Sequence, residues 1–239
     1  MKLKNRRKYK SDRNNKNRLL VFSCIVIALL CLSACGNSPE KTPTATVEEF
    51  LQAIQKDNIS GTESVYADGT FDLGAAAWSS DDGEDGADDE DVEGDSDPVF
   101  KVLQDDFYPK VINFDYKVED ESIDGKNATV KVSITTYKLG DAIYNGYMNF
   151  FDKEMNFYKT EPSDAKVSKR MAEYLHKSFD KASKKTYQKD ITLKLSVKDD
   201  KWVIDKLSND DVDALSGGMV SAQTKFNKYM DKLYEDMNN

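Results

Sequence analysis

The chain has 239 residues, a formal charge of −9, three cysteines and a single histidine. Nine basic side chains and one acidic one fall in residues 1–34, so residues 35–239 carry −17, a field that disfavours nucleic acid and anionic lipid and favours cations, basic peptides or basic protein faces. With Cys24, Cys31 and Cys35 as the only cysteines, the folded part has no disulfide, no thiolate chemistry and no conventional His/Cys zinc site.

Lys2, Lys4, Arg6, Arg7, Lys8, Lys10, Arg13, Lys16 and Arg18 precede an apolar run from Leu19 to Leu32. A basic start followed by an apolar core too short to span a bilayer comfortably has the form of a signal peptide, assigned to residues 1–34. Leu32, Ser33, Ala34 and Cys35 resemble the lipobox of bacterial lipoproteins, in which the cysteine is lipidated before the peptide is cut on its N-terminal side. The resemblance implies that Cys35 becomes a lipidated mature N-terminus on the extracytoplasmic face of the cell membrane. Two acyl chains, at about 0.8 kcal/mol per buried methylene, make a stable anchor. Residues 35–43 have no apolar period and read as a tether, reaching at most about 3.5 Å per residue.

Residues 44–239 are long enough for one substantial core and are expected to form a single domain. Thr46 and Glu49 have capping-box spacing, and Val47, Phe50, Leu51 and Ile54 repeat at i, i+3, i+4 and i+7, predicting a helix from Thr46 to the Asp57-Asn58 break. A second short helix is predicted over Ser60 to Ala67, and Leu73 to Trp78 is a small-residue segment of ambiguous type. Residues 79–97 are expected to be a disordered acidic loop, because the stretch from Asp81 to Asp97 offers a single aliphatic side chain and cannot build a core. Its carboxylates suit calcium, but the Asp-x-Asp-x-Asp-Gly register with a closing Glu is absent, leaving weak, diffuse cation binding or a merely repulsive surface.

After Pro98, Val99, Val102, Leu103 and Phe107 return to helical spacing as far as Pro109. From Val111 the period becomes two: Ile112, Phe114, Tyr116 and Val118 alternate with polar residues, Asp124-Gly125-Lys126 turns, and Ala128, Val130, Val132 and Ile134 alternate again. This predicts a long antiparallel hairpin with one buried face. Residues 141–183 revert to helix as an inserted hairpin hinged at Thr160-Glu161-Pro162. Ile191, Leu193, Leu195 and Val197 form the next strand, Asp199-Asp200 a turn, and Trp202 with Ile204 the return. A short helix over Asp210 to Leu215, a Gly217-Gly218 break and a helix carrying Phe226, Met230 and Leu233 close the chain. The expected class is α+β: N-terminal helices packed on a curved antiparallel sheet of about four strands, with an inserted helical hairpin and a C-terminal helix.

This order of elements, with Val47-Glu48-Glu49-Phe50-Leu51, Ala128-Thr129-Val130-Lys131-Val132, Lys201-Trp202-Val203-Ile204-Asp205 and Asp213-Ala214-Leu215-Ser216-Gly217-Gly218, resembles the nuclear-transport-factor-2-like fold as it occurs in lipoproteins of Gram-positive bacteria. The resemblance implies a cone in which a curved sheet wraps the helices around a pocket; the helical hairpin at 141–183 departs from it. Such folds host enzymes, ligand binders and interaction modules alike. An enzyme of this type would use a pocket carboxylate as acid or base, for which Asp115 and Asp205 are the candidates, although Asp115 alternates out of phase with Phe114 and Tyr116.

His176, the only histidine, reads as a helix-surface residue, and no Gly-x-Ser-x-Gly elbow exists to partner it. Tyr144, Tyr147, Phe150, Phe151, Phe157 and Tyr158 crowd one helix beyond what a single stripe needs. Core packing is one reading of them; a partner-docking or ligand-lining surface at Tyr144, Tyr147, Phe150, Phe151 and Tyr158 is the other. The expected function is a non-catalytic binding or interaction module, anchored to the membrane through its lipid and contacting an unidentified protein or small ligand, without cofactor, metal or nucleic acid.

Overall fold

The computed structural model describes residues 39–78, 97–160 and 162–238. Leu32, Ser33, Ala34, Cys35 and residues 79–96 of the acidic stretch lie outside them. Among the described residues the fold is α+β, with helices, a four-stranded antiparallel sheet and a C-terminal helix, and no helix is long and apolar enough to cross a membrane.

Helix α1 (Pro43–Gln55) starts earlier than the Thr46–Glu49 spacing predicts. Thr42 caps it, its side chain accepting the Ala45 amide at 3.1 Å, and Pro43 occupies the first turn, where its missing donor costs nothing and its fixed φ already suits a helix. Thr46 is buried instead, its hydroxyl donating to the Thr42 carbonyl. Pro43, expected in the tether, is thus helical. The predicted second helix reduces to a 3₁₀ turn over Ile59–Thr62, after which residues 65–67 run beside the sheet, Ala67 donating to the Ile204 carbonyl and Ile204 to that of Val65, both at 2.8 Å. Leu73–Trp78 resolves as a helix, α2.

Asp97 is not part of a loop. Its carboxylate accepts the Val99 and Phe100 amides at 2.7 and 3.1 Å and caps α3 (Pro98–Val102). Desolvation pushes that carboxyl up, but the Ser168 hydroxyl and the two amides outweigh it and hold it below its ordinary value. Helix α3 runs through a π-helical turn over Leu103–Phe107 into α4 (Tyr108–Val111), so the helical stretch passes the expected stop at Pro109. The ladder has already left α register at the π turn, and the proline removes a donor that was out of place.

Strands β1 (Asp115–Asp124), β2 (Asn127–Tyr137), β3 (Lys185–Lys198) and β4 (Lys201–Ile204) pair in sequence order. The first hairpin begins three residues after Ile112, which caps α4, and a bulge between Val118 and Asp120 breaks the alternation. Beyond the bulge Glu121 turns inward and accepts the Thr44 amide at 2.8 Å, a negative charge on the N-terminal turn of α1. Val130 stands opposite Leu193 and Val132 opposite Ile191, so the predicted apolar faces coincide. Asp199 and Asp200 both adopt positive φ, as a tight two-residue hairpin requires.

The inner face of the sheet carries Ala128, Val130, Val132, Ile134, Ile191, Leu193, Leu195, Trp202 and Ile204, all buried. Helix α1 crosses it with Val47, Phe50, Leu51 and Ile54, while α7 (Asn209–Leu215) covers β3. Helices α5 (Leu139–Tyr158) and α6 (Asp164–Lys181) form the inserted hairpin, packed against α8 (Met219–Asn238) on one side and α3 on the other.

Candidate functional site

The aromatic residues of α5 are largely used up in holding helices together. Phe150 is fully buried, its ring 5.6 Å from Phe151 and 5.9 Å from Tyr174 of α6. Tyr147 and Phe151 pack on Phe226 of α8 at 5.4 and 6.2 Å, and burial pushes the Tyr147 phenol up. Tyr144 is half-buried against the main core. The docking surface expected at Tyr144, Tyr147, Phe150 and Phe151 is therefore corrected: Tyr147, Phe150 and Phe151 pack into an α5–α6–α8 seam with Tyr174 and Phe226, and Tyr144 packs on the main core. The Tyr158 side chain lies outside the described residues. Farther along the seam, buried Glu154 accepts from Arg170 and the Tyr174 hydroxyl, each at 3.0 Å, and the Arg170 guanidinium lies over the Phe157 ring.

Neither carboxylate named from sequence is desolvated and free. Asp115 is exposed and paired with Lys185 at 2.7 Å. Asp205 accepts from Ser196 at 2.8 Å and borders a polar cleft of about 450 Å³ that Lys189, Lys194 and Asp213 also line. Sequence reasoning missed Asp213, the most enclosed acid there; its oxygens accept the Ser221 amide at 2.7 Å and the Tyr187 hydroxyl at 3.0 Å. Its signal is the Gly217-Gly218 break, which folds α8 back onto the end of α7. Among the described residues no cluster of His, Cys, Asp and Glu could hold a metal ion.

His176 is exposed on α6 and staples that helix to the π turn, its Nδ1 lying 2.5 Å from Asp106 and its Nε2 3.5 Å from Asp180. The Asp106 hydrogen bond leads in raising its pKa, with Asp180 also raising it and desolvation and Lys110 opposing. A raised folded-state pKa means that this staple stabilises fully below the unfolded value of about 6.5 and fades as pH rises through the folded value. As the only histidine, it gives a single imidazole signal by proton NMR, and its titration midpoint is expected above that of a free histidine. A midpoint at or below it would remove the staple.

The one place among the described residues where large exposed apolar side chains converge lies between α2 and the α3–π–α4 stretch. Gly74, Ala75 and Trp78 form one wall of a groove of about 470 Å³; Phe100, Leu103, Gln104, Phe107 and Tyr108 form the other wall and the floor. Trp78 is 38% and Phe100 46% exposed. Phe107 is buried beneath, edge-on to Trp78 at 5.6 Å and 5.8 Å from Phe179. The π turn supplies Leu103, Gln104 and Phe107 together, and π insertions of this kind concentrate at functional positions. Gly74 admits Tyr108, whose ring would lie 2.7 Å from a β-carbon there. The Tyr108 hydroxyl donates to Asp57 at 2.5 Å; burial, then Asp57 and Asp72, push that phenol up. The groove is thus apolar inside and acidic at its edge. Comparison with protein-family models, curated proteins and solved structures returns no match for the chain.

Proposed function

We propose that this protein is a lipid-anchored binding module on the extracytoplasmic face of a bacterial cell membrane, acting without catalysis. Its binding site is the groove between α2 and α3–α4. The observation that carries this reading is the pair of exposed rings, Trp78 and Phe100, held over the buried Phe107 floor: exposed apolar rings gathered around a hollow are the form that ligand and partner sites take. The lipobox at Leu32 to Cys35 supplies the anchor, and the order of helices and hairpins supports the nuclear-transport-factor-2-like resemblance. Helix α1, about 20 Å long at 1.5 Å per residue, separates the tether junction at Pro43 from Asp57 and Tyr108 at the groove.

Metabolic labelling with a palmitate analogue tests the anchor. Wild-type protein is expected to take up label and lose the mass of residues 1–34, whereas Cys35→Ala should take up none and remain at precursor mass. Equal labelling of the two would sink the lipoprotein reading.

A further inference from the structure

We infer that the polar cleft beside β3 receives an extended segment of another protein, which pairs with the open edge of that strand where β4 stops. This site is separate from the apolar groove and does not depend on it. Strand β3 runs for 14 residues and β4 for 4, and their register ends with Leu195 opposite Ile204. The Asp205 amide donates once more, to the Lys194 carbonyl at 2.8 Å, and the chain then leaves the sheet for α7. The Val197 amide donates to the Lys126 carbonyl on the β2 side at 2.9 Å, so the odd-numbered residues of β3 bond towards β2 and the even-numbered ones towards β4. Among the described residues, the amides and carbonyls of Gln188, Asp190 and Thr192 therefore face outward without a partner.

This edge is kept fit for pairing. Its register with β2 is regular over residues 188–194, with neither bulge nor proline. The Asp190 carboxylate is drawn across to β2, where Lys131 and Ser133 hold it at 2.8 and 2.6 Å, clear of the opening. The opposite edge of the sheet is built the other way: β1 has a bulge after Val118, an inward-turned Glu121, and charges at Asp115, Lys117, Glu119 and Asp120. Those are the devices that stop an edge strand from recruiting another chain, and β3 lacks them where β4 ends.

The cleft, of about 450 Å³, has β3 along one side and Leu207, Ser208, Asp210, Asp213 and Ala214 along the other. Donors and acceptors alternating along a strand are matched by a second strand; a helix has already spent its own amides and carbonyls internally. Ile191, Leu207 and Ala214 are buried and give the cleft an apolar lining, so alternate apolar side chains suit one face of the incoming segment. Lys189, Lys194 and Asp210 present both signs of charge to its polar face. A second copy of this chain is a poor occupant, because its own β3 edge is walled by the same residues and its β1 edge is guarded.

The test uses the full chain carried in phosphatidylcholine nanodiscs, with empty discs as the blank. The probe is a fluorescein-labelled heptapeptide of alternating threonine and valine, flanked by one lysine and one glutamate. Two N-methylated versions carry their methyl groups on the threonines or on the valines. Pairing uses amides of one parity, and the valines meet the apolar lining in only one register. One version is thus expected to bind at least about tenfold more weakly than the parent, and the other within about threefold of it. Hydrogen exchange read by mass spectrometry locates the contact: the parent peptide should slow exchange over residues 188–192 and leave Asp115–Asp124 unchanged. Thr192→Pro removes one outward amide and leaves the bonds to β2, as proline on an open edge does, and should weaken binding by about tenfold. A thermal melt checks its fold, while the methylation comparison uses the unaltered protein.

Equal binding of the two methylated versions overturns the inference, because adhesion through side chains does not read amide parity. Absence of binding, or protection at β1 in place of β3, overturns it as well. Binding that Phe100→Ser abolishes and Thr192→Pro leaves intact would seat the peptide in the apolar groove, overturning the inference while supporting the groove. Slowed exchange over residues 188–192 that grows with protein concentration in the absence of peptide would assign the edge to self-association and overturn it too.

Discussion

Gly217→Ala is expected to destabilise the protein by roughly 3–5 kcal/mol, at the upper end for a single substitution. Gly217 sits at φ +71, and a β-carbon on it would lie 2.0 Å from the Tyr137 carbonyl oxygen, 3.2 Å from the Leu139 amide and 3.3 Å from the Thr136 methyl. The left-handed conformation alone costs a non-glycine residue about 1–2 kcal/mol. The overlap with backbone adds more, because neither the end of β2 nor the start of α5 can swing aside as a surface side chain would. Gly140 closes the same contact from the other side: its amide donates to the Gly217 carbonyl at 3.0 Å, and a β-carbon there would lie 2.0 Å from the Gly218 oxygen. The two glycine sites therefore interlock the β2–α5 junction with the α7–α8 junction. Gly69 and Gly125 make the comparison, since both have positive φ and open space around them; alanine at either should cost only the conformational term of about 1–2 kcal/mol. Guanidinium denaturation of the three variants decides the matter. A Gly217→Ala midpoint no lower than that of Gly125→Ala would mean that the junctions do not interlock.

The alternation of Ala128, Val130, Val132 and Ile134, and of Ile191, Leu193 and Leu195, could be read directly because one sheet face is buried and the other wet, so polarity records burial residue by residue. The helical hairpin was legible for the same reason at period 3.6. Features set by backbone geometry were not. Thr46–Glu49 has the spacing of a capping box, yet Pro43 starts the helix earlier, and Asp97 looks like the tail of an acidic run although its carboxylate caps α3. The groove escaped because its residues show no period. Leu73 to Trp78 is too short and too rich in alanine, and Phe100 falls outside the Val99, Val102, Leu103 stripe, so only the meeting of α2 with the π turn reveals that both rings border one hollow. The aromatic excess on α5 was visible, but the identity of what covers it was not, since Phe226 lies far along the chain on α8.

Asp213→Ala is expected to cost about 2–4 kcal/mol, and the reason is the pair of donors it would strand. The Ser221 amide is one of the unsatisfied groups at the start of α8, and its acceptor is the Asp213 carboxylate, folded back across the Gly217-Gly218 turn. A negative charge at that end also interacts favourably with the positive pole of a twenty-residue helix. The second oxygen accepts the Tyr187 hydroxyl, whose phenol is pushed up by burial first and by Asp213 second, so it stays a donor throughout the working pH range. Alanine removes the acceptor for both at once. Asparagine keeps one carbonyl oxygen for the Ser221 amide but loses the charge, and should cost about half as much; Tyr187→Phe removes a single hydrogen bond and should cost about 1 kcal/mol. Because the tyrosine and the aspartate share a bond, the Asp213→Ala/Tyr187→Phe double variant should be less destabilised than the sum of the singles, by about 1 kcal/mol. Strict additivity in urea melts at neutral pH would show that Asp213 acts on α8 alone. A coupling that survives in the asparagine background would show that the hydroxyl, not the charge, is what joins β3 to the α7–α8 turn.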